Sequence, residues 1–143
     1  MPSILHDFFI NAPAKKVFAC ISSPNGLDQW WTKHSSAEQV LGGVYELWFG
    51  PEYDWRGKVT KLNPNTDFEL EIFNADKDWN GTLVGFHLEE KDGAAIIRFY
   101  HKNWHEENEH FRISSYCWAM YLRILKRYLE HGETVPYEDR LDV

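Results

Sequence analysis

Apolar and polar residues alternate through the middle of the chain. Phe68, Leu70 and Ile72 interleave with Glu69 and Glu71, so one face of that segment is apolar and the other is expected to be wet. The same period runs through Tyr45, Leu47 and Phe49 against Val44, Glu46 and Trp48. It recurs in Val84, Phe86 and Leu88 against Leu83, Gly85 and His87, and in Ala95, Ile97, Phe99 and His101 against Ile96, Arg98 and Tyr100. Arg56 to Leu62 alternates less cleanly. Turn formers punctuate the run at Gly42-Gly43, Gly50-Pro51, Asn63-Pro64-Asn65, Asn80-Gly81 and Asp92-Gly93. The stretch from Ser35 to Trp104 is therefore expected to be a series of antiparallel strands. Asp92-Gly93 is a hairpin signal, because glycine tolerates positive φ.

The flanks have other periods. Ser3 to Asn11 reads as one more strand, with His6, Phe8 and Ile10 on one face and Leu5, Asp7 and Phe9 on the other. Pro13 opens a short helix with Val17, Cys20 and Ile21 as its stripe. Ser22-Ser23-Pro24-Asn25-Gly26 breaks it, and a second short helix is expected from Leu27 to Trp31. From about Asn108 to His131, Phe111, Ser115, Trp118, Leu122, Leu125 and Leu129 recur at steps of four and three, the mark of a long amphipathic helix. Gly132 follows as its C-terminal cap. A helix with one apolar stripe needs a surface to cover. The expected fold is α+β: a curved antiparallel sheet of about six to seven strands wrapped around the C-terminal helix. Residues 1–132 are expected to form one domain, and the polar tail 133–143 to be loose.

Composition narrows the function classes. Lysine and arginine total 15 against 22 acidic residues, a net charge of −7, which argues against sequence-independent nucleic-acid binding. Cys20 and Cys117 lie in apolar helical contexts and read as buried free thiols, which fits a cytoplasmic, reducing compartment. No signal peptide and no run of about 20 apolar residues is present, so membrane insertion is not expected. Aromatic residues make up 16% of the chain, enough to line a cavity as well as fill a core.

One segment, His101 to His110 (HKNWHEENEH), concentrates candidate chemistry. It resembles a zinc-protease signature, but His105 and His110 are five apart and would not converge on one helix face. No metal site is assigned. Glu106, Glu107 and Glu109 read as the solvated, dipole-compatible approach to the long helix. No phosphate loop, nucleophile elbow or cysteine pair at metal spacing occurs, so no catalytic residue and no cofactor is assigned.

The order of motifs resembles the START-like superfamily, also called SRPBCC or Bet v-like, with the helix-grip fold. Within it the chain is most similar to the family named after the C-terminal domain of the activator of heat-shock protein 90 ATPase. The likeness rests on Asn11-Ala12-Pro13 with Val17-Phe18, Trp30-Trp31, Gly42-Gly43-Val44-Tyr45, Gly57-Lys58-Val59, His101 ending the last strand, and the run Trp118 to Gly132. It implies an apolar pocket between helix and sheet. Related superfamilies bind lipids, polyketides and plant hormones, and a few act as cyclases or hydrolases. The inward-facing residues expected to line the pocket are Trp31, Tyr45, Leu47, Phe49, Trp55, Phe68, Leu70, Phe86, Ile97, Phe99, Trp118 and Leu122, with His101 as polar anchor at its mouth. Tyr53-Asp54-Trp55 either caps the entrance or forms a bare hairpin tip.

The leading reading is a binding module for a hydrophobic or aromatic small molecule, in which Trp118→Ala lowers affinity more than stability. A cochaperone-like interaction protein, in contact with a chaperone, stands second. A small cyclase, dehydratase or hydrolase stands third. Trp48 and Trp79, if exposed, would either mark a homodimer face or be isolated surface residues.

Overall fold

The computed structural model describes residues 1–143. Strand β1 (Ile4–Ile10) leads into helices α1 (Ala14–Ser22) and α2 (Pro24–Trp30). Strands β2 (His34–Ala37), β3 (Val44–Trp48), β4 (Asp54–Asn63), β5 (Asp67–Asn74), β6 (Leu83–Lys91) and β7 (Ala94–Lys102) follow. Helix α3 (Glu109–His131) and a short 3-10 turn (Tyr137–Asp142) close the chain. The seven strands form one antiparallel sheet in the order β1-β7-β6-β5-β4-β3-β2. It curves around α3, the expected α+β helix-grip architecture. No helix is long and apolar enough to cross a membrane.

The alternating residues occupy the faces assigned to them. Tyr45, Leu47, Phe68, Leu70, Ile72, Val84, Phe86, Leu88, Ala95, Ile97 and Phe99 are all buried in the core. The irregular stretch of β4 has a physical cause: its register against β5 shifts between Arg56 and Gly57 and again between Val59 and Lys61. Asp92 and Gly93 both take positive φ, 54° and 81°, as a two-residue hairpin turn requires.

Three expectations are corrected. The second helix begins at Pro24, because Ser23 serves both helices. Its Oγ donates to Ala19 O at the end of α1 and accepts from Gly26 N at the start of α2, with Pro24 in the first turn where no N–H is needed. The two helices pass so closely at Gly26 that a Cβ there would lie 2.3 Å from Cys20 O. Second, the outer face of β5 is not uniformly wet. Glu69 is buried, taking hydrogen bonds from Thr60 Oγ1 (2.7 Å) and the Tyr100 hydroxyl, with Lys61 and Lys102 within 4.0 Å. The Tyr100 ring lies over Gly85, where a Cβ would come within 2.4 Å of it. Burial, then the Glu69 hydrogen bond, raises the Tyr100 phenol.

Third, the tail is not loose. Arg140 is 5% exposed and donates to the carbonyls of Val135, Thr32 and Asp28. Two of these belong to the C-terminal end of α2 and the residues just past it, where carbonyls lack helical partners and the dipole favours a cation. One guanidinium thus fastens the end of the chain to α2.

Helix α3 starts and ends where the pattern placed it. Asn108 Oδ1 accepts from Phe111 N, and Gly132 ends the helix at φ 68°. Its buried row is Ser114, Trp118, Leu122, Ile124 and Leu125; Ser115, Phe111 and Leu129 are only half-buried. The helix is rotated slightly from the sequence stripe, which brings Ser114 inward in place of Ser115.

Candidate functional site

The N-terminal half of α3 does not seal against the sheet. A cavity of about 240 Å3 remains between them. Trp31 comes from the end of α2, Phe49, Tyr53 and Trp55 from the β3–β4 hairpin, and Trp79 from the β5–β6 connection. Helix α3 supplies His110, Ile113, Ser114, Cys117, Trp118 and Tyr121, and the fastened tail supplies Tyr137. Three larger grooves, about 380, 460 and 570 Å3, carry fewer apolar residues on their walls. Ligand pockets are concave and mainly apolar with few polar groups, which favours the smaller cavity.

Five of its rings close on one another. Trp31 meets Phe49 at 5.6 Å between centroids, Phe49 meets Trp55 at 5.5 Å, and Trp55 meets Trp79 at 4.8 Å. Trp79 stacks on Trp118 at 5.8 Å, and Trp118 returns to Trp31 at 5.1 Å. Offset and edge-on pairs at these distances are each favourable. The collar joins α2, the β3–β4 hairpin, the β5–β6 connection and α3, elements far apart in sequence.

Of the sequence-predicted residues, Trp31, Phe49, Trp55 and Trp118 line this cavity. Tyr45, Leu47, Phe68, Leu70, Phe86, Ile97, Phe99 and Leu122 do not: they interlock deeper in the core, where Phe86 meets Trp30 and Phe99, and Tyr45 meets Phe68. The grip is packed solid there because the inward aromatics fill it. Tyr53 and Trp55 are part of the wall, not a bare tip.

His101 is not at the mouth. It is fully buried behind Trp79 and Trp118. Trp118 Nε1–H donates to His101 Nδ1 at 3.0 Å. Nδ1 is therefore the acceptor, and Nε2 carries the proton and donates to Thr82 Oγ1 at 2.8 Å. Thr82 in turn donates to Trp79 O. Both ring nitrogens are satisfied by neutral partners, and a second proton would set two donors against each other. Burial, with a smaller contribution from nearby His110, lowers the His101 pKa from 6.5 to about 3. His101 is an anchor of the collar from behind, with no access to the cavity.

The residues missed by the sequence reading are Trp79, His110, Ile113, Ser114, Cys117 and Tyr137. Ile113, Cys117 and Tyr121 stand four apart and form one row on α3, beside the row of His110, Ser114 and Trp118. The first row was legible as a second, mixed stripe. Trp79 was expected on the surface and is instead buried, with Nε1–H donating to Ser114 Oγ at 3.4 Å. Cys117 is half-buried at the wall; burial raises its thiol pKa, so it is a neutral apolar group rather than a ready nucleophile. Burial likewise pushes the Tyr121 phenol up to about 12.

At the rim, His110 lies between two carboxylates. Its Nδ1 is 2.9 Å from Asp78 and its Nε2 is 3.6 Å from Asp76. The hydrogen bond from His110 holds the Asp78 carboxyl below its usual range. Asp76, Asp78 and His110 bring one potential metal-ligand atom each within 4.8 Å of one another. Within this set the imidazole already hydrogen-bonds Asp78 at 2.9 Å and lies 3.6 Å from Asp76.

Fold and site together define a helix-grip protein of the START-like superfamily. The family described as "Activator of Hsp90 ATPase homolog 1-like protein" matches residues 11–130, and the chain belongs to it. A solved relative, the Aha1 dimer from Colwellia psychrerythraea, is 32% identical, with a TM-score of 0.83 over 93% of this chain and 99% of that one. A protein of Staphylococcus saprophyticus is 18% identical (TM-score 0.77; 94% and 96% covered), and one of Bacillus halodurans is 22% identical (0.75; 91% and 98%). These last two are alike in fold alone. No curated protein matches the chain.

Proposed function

We propose that the protein binds a small apolar or aromatic molecule inside the aromatic collar. The carrying observation is the cluster of Trp31, Phe49, Trp55, Trp79 and Trp118, each in contact with the next, on the wall of a cavity of about 240 Å3. That volume is just below the ~300–1,000 Å3 usual for ligand pockets, so the ligand is small. No nucleophile with a paired base faces the cavity, which supports binding ahead of turnover. The test uses native mass spectrometry of the purified protein and titration with the neutral fluorophore N-phenyl-1-naphthylamine. Wild type is expected to retain a small-molecule mass or to enhance the fluorophore. Cys117→Phe, which fills the cavity from α3, is expected to abolish both while keeping the fold. A signal that survives Cys117→Phe unchanged places binding elsewhere and defeats the reading.

A second reading concerns assembly. The Colwellia relative is described as a dimer. In this chain β1 is an edge strand with Leu5 and Phe9 exposed, and Trp79 is removed from the surface. These features support a homodimer built on β1 rather than on Trp48 and Trp79. Sedimentation equilibrium of wild type and Leu5→Lys/Phe9→Lys checks it: a dimer lost on substitution agrees, and a monomeric wild type does not. A chaperone contact rests on the family description alone. The free cysteines favour a cytoplasmic location.

A further inference from the structure

We infer that the ligand of the aromatic cavity is an organic cation, an alkylated ammonium group on an apolar body. The inference rests on the ligand-binding reading above and adds the charge of the ligand and its orientation. Ring faces attract cations through the negative pole of the π quadrupole, and several faces around one site are the usual way to recognise quaternary ammonium groups. Five such rings line the cavity, Trp55 and Phe49 half-buried and Trp31, Trp79 and Trp118 behind them. The indole N–H groups of Trp79 and Trp118 are turned into the protein, toward Ser114 Oγ and His101 Nδ1. What these two residues offer the cavity is ring carbon rather than hydrogen-bond donors.

The charges around the cavity discriminate further. No lysine or arginine is among the residues lining it. The one basic group on the wall, His110, is held between Asp78 and Asp76. Two carboxylates against one imidazole leave that rim with an excess of acidic groups, both only half-buried. The N-terminus of α3 lies at the same rim and would favour an anion. Its first turn, however, carries Glu109, and Asn108 already occupies Phe111 N. At the far end, the Tyr137 ring has Arg140 at 5.3 Å and Lys33 at 5.8 Å, so a second cation is unfavourable there. Arg140 is itself buried against three carbonyls and is not free to receive an anion. The ammonium group therefore lies against the half-buried Trp55 ring, on the Asp76–Asp78 side of the cavity. The apolar body points toward Tyr121 and Tyr137.

The experiment compares choline with 3,3-dimethyl-1-butanol, the neutral isostere in which carbon replaces nitrogen. Binding is read from the shifts of the tryptophan indole N–H resonances. Choline is expected to bind about tenfold or more tighter than the alcohol, because a desolvated cation–π contact is strong enough for that ratio. Asp76→Asn/Asp78→Asn is expected to reduce the preference severalfold. Asp76 Oδ1 now caps the backbone N–H groups of residues 78 and 79, and the amide oxygen that Asp76→Asn introduces can accept from both, so the turn is preserved. Equal affinity for the two probes overturns the cationic ligand and leaves the ligand-binding reading standing. Absence of indole shifts with choline also overturns it, and N-phenyl-1-naphthylamine then decides separately whether the cavity binds neutral molecules. A preference untouched by the double substitution overturns the placement of the charge at the Asp76–Asp78 rim.

Discussion

Trp118→Ala is expected to lower the unfolding temperature by about 10–25 °C, a loss of about 4–8 kcal/mol of stability. The indole is 1% exposed and touches Trp31, Trp79, Phe99, His101 and Tyr121. Truncating a buried tryptophan costs about 3–5 kcal/mol in lost transfer energy and residual cavity. The truncation also strands His101 Nδ1, a buried acceptor whose donor is Trp118 Nε1, at about 1–3 kcal/mol. The ring both lines the cavity and locks the core behind it. A loss of affinity in this variant therefore says little about ligand contact, and Trp118→Ala does not separate affinity from stability. Trp55→Ala is the contrasting variant: its ring lies in the same collar but is only half-buried, so it is expected to lose about a third as much. Thermal unfolding followed by circular dichroism checks both. Similar losses in the two variants would mean that the collar, not the His101 network, dominates Trp118.

The contrast marks what the sequence can and cannot show. Alternation assigns a residue to a face, and every inward position of β3, β5, β6 and β7 was assigned correctly. It carries no information on what lies above that face. Phe68, Phe86 and Phe99 look like Phe49 in the sequence, yet they are enclosed by other side chains while Phe49 also borders the cavity. Glu69 points outward as predicted and is buried all the same, because Tyr100 folds across Gly85 to reach it. Trp79 follows the end of a strand, inside a turn set by Asp76, where no period applies. Arg140 sits in a polar tail, and its burial depends on carbonyls more than a hundred residues earlier. His110 was weighed against His105 by spacing, whereas its partners are Asp76 and Asp78 from another connection. Local pattern recovers the strands and helices. The cavity arises where separate elements fail to interlock, and that is a property of pairs of elements.

Acid is expected to destabilise the protein through His101 before Asp67 and Asp78 titrate. In the folded state this imidazole is neutral and stays so down to about pH 3, whereas in the unfolded chain it takes up a proton near pH 6.5. Below pH 6.5 the unfolded state therefore binds one more proton at this site than the folded state. The contribution of neutral His101 to stability is complete above pH 6.5 and falls by about 1.4 kcal/mol per pH unit toward pH 3. Between pH 6.5 and pH 4.5 the loss is about 2–3 kcal/mol. Asp67 and Asp78, held low by hydrogen bonds from His87 and His110, titrate below this window and weaken the fold only at lower pH. His101→Gln isolates the effect. A glutamine amide can accept from Trp118 Nε1 through its oxygen and donate to Thr82 through its nitrogen, replacing both bonds without a titrating group. Urea unfolding at half-unit steps of pH measures the comparison. Wild type should lose about 2–3 kcal/mol more than His101→Gln between pH 6.5 and pH 4.5. Parallel profiles would show that folded His101 accepts its proton in the ordinary range. The donor from Trp118 and the acceptor at Thr82 could then not both hold as drawn, and the back wall of the collar would open to water on acidification.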